Sequence, residues 1–396
     1  MKIHAVRCTA YTGTMDYAGE FWFDGVLRPV DIYAPFGSKN PQPLQRAGQR
    51  SYHMRSVFVH VETDEGLVGT GGPITDEQAY LISRTLAPLL LGREPLATEQ
   101  LWDIMYRYAV HGRKGLEMMA ISALDCALWD LKGRYFGVPV HVLLGGPVRE
   151  NIPAYASALG YSVEPEQAQQ TVLEFITAGY QATKWFPRHG PADGRGGMAK
   201  NIELVKSLRD AAGPDTDIMI DAWMSWNVPY TLQMARRLEE YHPRWIEEPV
   251  MPDRHDSYSE ITRQIGSGIA VAGGEHEYTR WGIHDLLANH AAHVYQPDTY
   301  WAGGISEMIK IAAIASTYEV ELIPHGHSVR ANANLSFALS PTLVPYLEYL
   351  VKWNRVHQWF LLNPIVPKEG RIIPPIEAGL GMDLDNDKIE ASVDLE

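Results

Sequence analysis

Three observations predict an α/β fold for this sequence, a parallel barrel of repeated βα units joined to an α+β unit. Between Ile218 and His327, four apolar runs end on an acidic residue and lead into a helix-like segment: Ile218–Asp221, Trp245–Pro249, Ile269–Glu275 and Val294–Asp298. A fifth run, Val320–Pro324, ends on His325, so Asp221, Glu247, Glu275, Asp298 and His325 follow one another at steps of 26, 28, 23 and 27 residues. A strand, a crossover helix and two loops need roughly 25–30 residues, so each step is one βα unit. The N-terminal third reads differently, as a hairpin followed by helices. In a (β/α)₈ barrel all strands point the same way, which brings residues at successive strand ends to one rim.

Taken in order, residues 2–11 alternate and predict a first strand. Thr12 to Arg50 is Gly/Pro-rich, carries Trp22, Phe23, Tyr33 and Phe36, and reads as a long functional loop or lid. Ser56–Thr63, an Asp64-Glu65-Gly66 turn and Leu67–Gly69 read as a hairpin. Residues 76–92 and 97–110 read as helices. The helix from Leu116 to Tyr135 carries a stripe of small residues (Ser122, Ala123, Cys126, Ala127), which predicts close packing rather than a site. The unit boundary falls near 125–150, giving an α+β cap of residues 1–135, completed by 365–396, and a barrel of residues 136–364.

The barrel opens with strand Pro153–Ser157 and a helix from Pro165 to Ala178, with proline at the opening position. Strand Ala182–Phe186, an irregular Gly-rich loop from His189 to Gly197 and a helix from Met198 to Ala212 follow. Beyond His325, Asn334–Leu339 and Leu347–Tyr349 are weakly patterned, so the units number seven or eight. The Pro/Gly-rich Pro374–Leu384 segment is expected to fold back over the first unit.

Composition narrows the function. A formal net charge of −14, with no run of Lys and Arg to offset it, argues against a nucleic-acid-binding surface. Two cysteines, Cys8 and Cys126, are too few for a disulfide framework or a Cys-rich zinc site. The N-terminus lacks the apolar core of a signal peptide and no stretch reaches membrane-span length, so the expectation is a cytoplasmic protein with no membrane partner.

Asp221, Glu247 and Glu275 suit a hard dication held by oxygen, Mg²⁺ first and Mn²⁺ second. Any one of them alone could be a solvated or salt-bridged strand-end acid; three at successive periods argue against coincidence. Glu248 should point opposite to Glu247 on an extended backbone, and Trp245 should point with Glu247. Asp298 one period before His325 could fix the imidazole tautomer, which makes His325 a candidate general base. His325-Gly326-His327 also has the form of a metal-binding pair, a weaker use of His325. Lys184 could face a substrate carboxylate or snorkel at the surface.

Asp221-Ala-Trp, Trp245-Ile-Glu-Glu-Pro, Gly274-Glu-His276, Gln296-Pro-Asp298 with Gly303-Gly304, Pro324-His325 and Glu348 together resemble the enolase superfamily, in its mandelate racemase subgroup. The resemblance spans the chain and implies a modified TIM barrel, (β/α)₇β, with an N-terminal α+β capping domain. It further implies Mg²⁺ on Asp221, Glu247 and Glu275, His325 with Asp298 as the base dyad, and Glu348 as hydrogen-bond donor to a substrate carboxylate. Lys184, Trp223 and His276 would line the site, and a homo-oligomer is expected.

Racemases of that subgroup carry Lys-x-Lys on the second barrel strand, whereas here the second position is Phe186. With one base the expected reaction is dehydration. Lys184–Pro191, Gly274–Gly282 and Pro324–Ser328 look most like rhamnonate and related sugar-acid dehydratases. The expectation is therefore a sugar-acid dehydratase yielding a 2-keto-3-deoxy acid. The competing readings are a racemase or cycloisomerase of the same fold, a non-catalytic sugar-acid-binding protein and a zinc hydrolase.

Overall fold

The computed structural model describes residues 1–33, 44–266 and 268–395; part of the predicted long loop, positions 34–43 with Phe36, lies outside the described residues. The N-terminal sheet is antiparallel and built from β1 (Ile3–Asp16), β2 (Arg46–Gly48), β3 (Ser51–Thr63) and β4 (Val68–Ile74). Here β1 runs five residues past the predicted end and β3 starts five residues early, because Thr12–Asp16 pair with Ser51–Arg55. The loop therefore leaves the sheet only at Tyr17.

Eight parallel strands follow: β5 (Ile152–Ser157), β6 (Ala182–Trp185), β7 (Asp217–Asp221), β8 (Trp245–Glu247), β9 (Ala270–Gly273), β10 (Val294–Tyr295), β11 (Glu321–Leu322) and β12 (Leu347–Leu350). They pair in the order β11-β10-β9-β8-β7-β6-β5-β12, so each strand lies beside its sequence neighbour and the last lies beside the first. A helix separates each consecutive pair, which is the (β/α)₇β arrangement. Between β11 and β12 the amide of Leu322 donates to Leu343 O at 2.8 Å. The weakly patterned Asn334–Ser336 stretch belongs to the helix Val329–Ser336, not to a strand.

Two further strands tie the C-terminal segment down. β13 (Arg371–Ile372) pairs antiparallel with the start of β5, and β14 (Ala391–Leu395) pairs antiparallel with β1. The Pro374–Leu384 segment folds back over the first unit as expected, with Leu380 N donating to Asp130 Oδ1 and Arg134 to Asp383 Oδ1, both at 2.8 Å, and β14 then joins the N-terminal sheet. We propose the division into 1–135 with 365–396, and 136–364, on this pairing. The helix Gly194–Ala212 also starts four residues before Met198. Its glycines read as a loop by propensity, yet a Cβ on Gly197 would collide with the Asp193 and His189 side chains, so packing decides the helix start.

The barrel interior explains where the site sits. Tyr155, Ala182, Met219, Trp245, Ala272, Val294 and Ile323 form one buried cluster, one from each strand or its end from β5 to β11. Two alanines, Ala182 and Ala272, make room for the larger side chains of this ring, which together fill it. Side chains on a strand repeat with a period of two, so the next inward positions are Lys184, Asp221, Glu247, Gln296 and His325. The candidate site is the layer directly above the apolar plug.

The helix Leu116–Phe136 is buried on nearly every face and lies between the N-terminal sheet and the barrel. Its small-residue stripe meets Gly69 and Gly71 of β4, where a Cβ would run into the carbonyl oxygens of Ala127 and Ala123. Gly71→Ala is expected to lower stability by about 1–3 kcal/mol through overpacking, read as a reduced urea midpoint at unchanged slope. On the barrel side, Asp125 accepts from Ser306 N and Oγ at 2.9 and 2.6 Å. Burial pushes this carboxyl up to about 7, against the pull of the Ser306 hydrogen bonds. A carboxyl bound more tightly to its proton when folded contributes fully below its unfolded value near 3.8, and that contribution is lost as pH rises through about 7. Asp125→Asn is expected to flatten the fall in stability between pH 4 and 7, measured by denaturant titration across that range.

Candidate active site

Asp221 ends β7, Glu247 ends β8 directly beside it in register, and Glu275 follows β9 after Gly274 at φ +105°. One carboxylate oxygen from each lies within 4.8 Å of the other two, and all three side chains are buried. Lys184 of β6 is 1% exposed, which excludes the snorkelling reading, and its Nζ contacts Glu247 at 2.5 Å, Glu348 at 2.8 Å and Asp221 at 3.2 Å. Trp245 points with Glu247, as alternation predicts, and its Nε1 donates to Glu247 Oε2 at 2.9 Å.

Burial pushes Asp221 up to about 6, with Glu275 and Glu248 adding to it against Lys184. Burial likewise raises Glu247 and Glu275 despite nearby cations. Three desolvated carboxylates at this separation repel one another, and one lysine offsets only part of their charge. An all-oxygen donor set of this kind is what a hard dication relieves, so these residues fit Mg²⁺ or Mn²⁺.

His325 follows β11, and its Nδ1 donates to Asp298 Oδ2 at 2.7 Å, while Tyr300 N donates to Asp298 Oδ1 at 2.7 Å. That bond fixes the tautomer and turns Nε2 to the mouth, 3.7 Å from Glu275 Oε2. Burial works to lower its pKa, but Glu275, Asp298 and Glu348 outweigh it and raise the imidazole to about 10. Glu348 on β12 accepts from Gly326 N at 2.8 Å. Burial would raise its pKa, yet Lys184 and His325 hold it below the ordinary carboxylate range. In this state Glu348 is an acceptor, and the donor role expected of it requires a proton that its neighbours keep off.

Trp223 adopts φ +42°, donates its N–H to Asp221 Oδ1 at 2.9 Å and lies 6.0 Å from the His276 ring. Glu248 departs from the expectation that it points away. Its φ of +39° ends the strand alternation, and its buried carboxylate bonds His276 Nδ1 at 2.8 Å, beside Glu275. Burial lowers the His276 pKa, but Glu248 more than reverses this and raises it to about 9. Phe186 is buried with its ring 5.5 Å from Lys184 Nζ, so no second base stands on β6.

The structure therefore brings all nine predicted site residues to one mouth. Sequence reasoning missed Trp301, whose ring lies 5.4 Å from His276 and 5.1 Å from His325, and Gln296, buried beside the triad. Gln296 carried a signal, since it stands one pleat above the plug residue Val294. Trp301 lies on a loop, where periodicity says nothing.

A capped (β/α)₇β barrel with an acidic triad and a His–Asp dyad at its strand ends defines a class, and the chain belongs to the enolase superfamily, in its mandelate racemase subgroup. The family described as Enolase C-terminal domain-like matches residues 166–388, and the mandelate racemase/muconate lactonizing enzyme N-terminal domain matches 33–145. Among relatives, an L-rhamnonate dehydratase from Saccharopolyspora erythraea is 34% identical, covering 98% of this chain and 98% of its own. The crystal structure of a rhamnonate dehydratase from Gibberella zeae complexed with Mg superposes with a TM-score of 0.85 at 28% identity, covering 98% of this chain and 95% of its own. A 3,6-anhydro-D-galactonate cycloisomerase from Zobellia galactanivorans superposes at 0.78 with 28% identity, covering 98% and 99%. Among the described residues, no helix is long and apolar enough to cross a membrane.

Proposed function

We propose that the protein is a hydro-lyase, a dehydratase that converts a rhamnonate-like sugar acid to a 2-keto-3-deoxy acid. The observation that carries this reading is the lone dyad: His325 with Asp298 on one side of the mouth and Phe186 on the side where racemases of the subgroup place a second base. Relatives that are rhamnonate dehydratases support the substrate class.

In this reading Asp221, Glu247 and Glu275 hold Mg²⁺, with Mn²⁺ as the alternative. When bound, the ion would offset negative charge developing on the substrate carboxylate. Lys184 lies among the carboxylates and supplies a fixed positive charge at that end, so the field is in place before the reaction begins. Glu348, once protonated, would donate to the same carboxylate. Glu275 is the chief influence raising the His325 pKa, and a dication held by it would offset that charge. His325 therefore acts as the base in its neutral form, and its Nε2 takes the C2 proton. Asp298 orients the imidazole and stabilises its cationic form, since Nδ1 already donates to it. The C3–O bond then breaks, the imidazolium returns its proton to the departing hydroxyl, and water leaves. The enol so formed tautomerises, C3 gaining a proton from solvent as the C2 hydroxyl loses its own, and becomes the 2-keto acid. Phe186 has no proton to deliver to the opposite face, which disfavours inversion at C2. His276, paired with Glu248, and Trp223 line the rim and orient the substrate. The same reading places a homo-oligomeric enzyme in the cytoplasm.

The test is a library of five- and six-carbon aldonic and aldaric acids with Mg²⁺, scored for 2-keto acid. A 2-keto product from an aldonic acid is expected, and no product from any member would defeat the proposal. Likeness to a cycloisomerase keeps a second reading in play. It, or a racemase, would be favoured by an isomeric product, or by solvent deuterium entering recovered substrate with inversion.

A further inference from the structure

One wall of the mouth is left unused by the proposed chemistry. His327 stands two residues past His325 on the same turn, and the two rings are parallel within 16° with centroids 6.2 Å apart. Trp301 touches both imidazoles, at 5.1 and 5.3 Å. Trp353 lies 6.3 Å from His327, and Trp22 of the N-terminal loop lies 6.5 Å from Trp353. His327 is half-buried. Its Nδ1 makes only a 3.4 Å contact with Ser328 Oγ, and its Nε2 has no hydrogen-bond partner among the described residues.

We propose that His327 is a specificity-determining residue whose Nε2 hydrogen-bonds a hydroxyl group at the far end of the sugar acid, beyond C3, against the wall formed with Trp301 and Trp353. The proposal rests on the dehydratase reading above. With the carboxylate end at Lys184 and Glu348 and C2 beneath His325, the remaining carbons extend away from the acidic triad and along this wall. Burial lowers the His327 pKa to about 4. It is therefore a neutral imidazole, which can offer either a donor or an acceptor at Nε2, the complement of a hydroxyl. The indoles provide apolar faces for the C–H side of the carbon chain.

The test compares kcat/KM for four-, five- and six-carbon aldonic acids of one C2–C3 configuration in the wild type, His327→Phe and His327→Gln. A site that hydrogen-bonds a substrate hydroxyl discriminates strongly against analogues lacking it, whereas an apolar pocket does not. The six- to four-carbon preference is expected to fall about 10- to 1000-fold in His327→Phe. His327→Gln, which retains a polar tip, should recover part of it. An equal loss on every acid would make His327 a structural spacer and overturn the proposal, as would an unchanged preference or failure of both variants to fold. Wild-type protein that turns over none of the acids overturns the dehydratase reading itself, a distinguishable result.

Discussion

His325→Asn is expected to lower turnover by about 10²–10⁴-fold or more while leaving Mg²⁺ affinity nearly unchanged. Asparagine can still hydrogen-bond Asp298 but cannot accept a proton at the position of Nε2. The base lies 3.7 Å from Glu275 Oε2 without belonging to the triad, so the donor set remains complete when it is replaced. Turnover is read as 2-keto acid formed, and metal affinity by calorimetry on the same preparation. Dehydration that persists near the wild-type rate would remove His325 as the base. Loss of metal binding would instead make it part of the ion's site.

Glu275→Gln is expected to weaken Mg²⁺ binding by at least about 100-fold and to abolish turnover at ordinary metal concentrations. The amide keeps the shape of the side chain but removes one of three charges that face one another within 4.8 Å. It also removes the principal influence raising the pKa of His325. Normal metal affinity in this variant would mean that the ligand triad is misassigned. Glu248 would then become the carboxylate to test, because it lies beside Glu275 and His276.

Much of this arrangement was legible because a parallel barrel converts chain spacing into position. Asp221, Glu247, Glu275, Asp298 and His325 stand at or just past strand ends one βα unit apart, and strand alternation places Trp245 with Glu247. Legibility fails where the backbone leaves the strand. Glu248 turns at φ +39° and joins His276, and Trp301 is delivered by a loop. The Gly194 start of its helix was hidden for a related reason, since glycine's poor propensity is overridden by packing too tight for a Cβ.

By itself the sequence determined the architecture, the order of the units and the residue types at the mouth, since periodicity and strand-end spacing are properties of the chain alone. Only the tertiary structure decided the electrostatics. Whether Lys184 is a surface cation or the counter-charge of three buried acids depends on desolvation and on neighbours more than thirty residues away. Charges in a low-dielectric site are set by what surrounds them, and distance in space is not written in the spacing of residues.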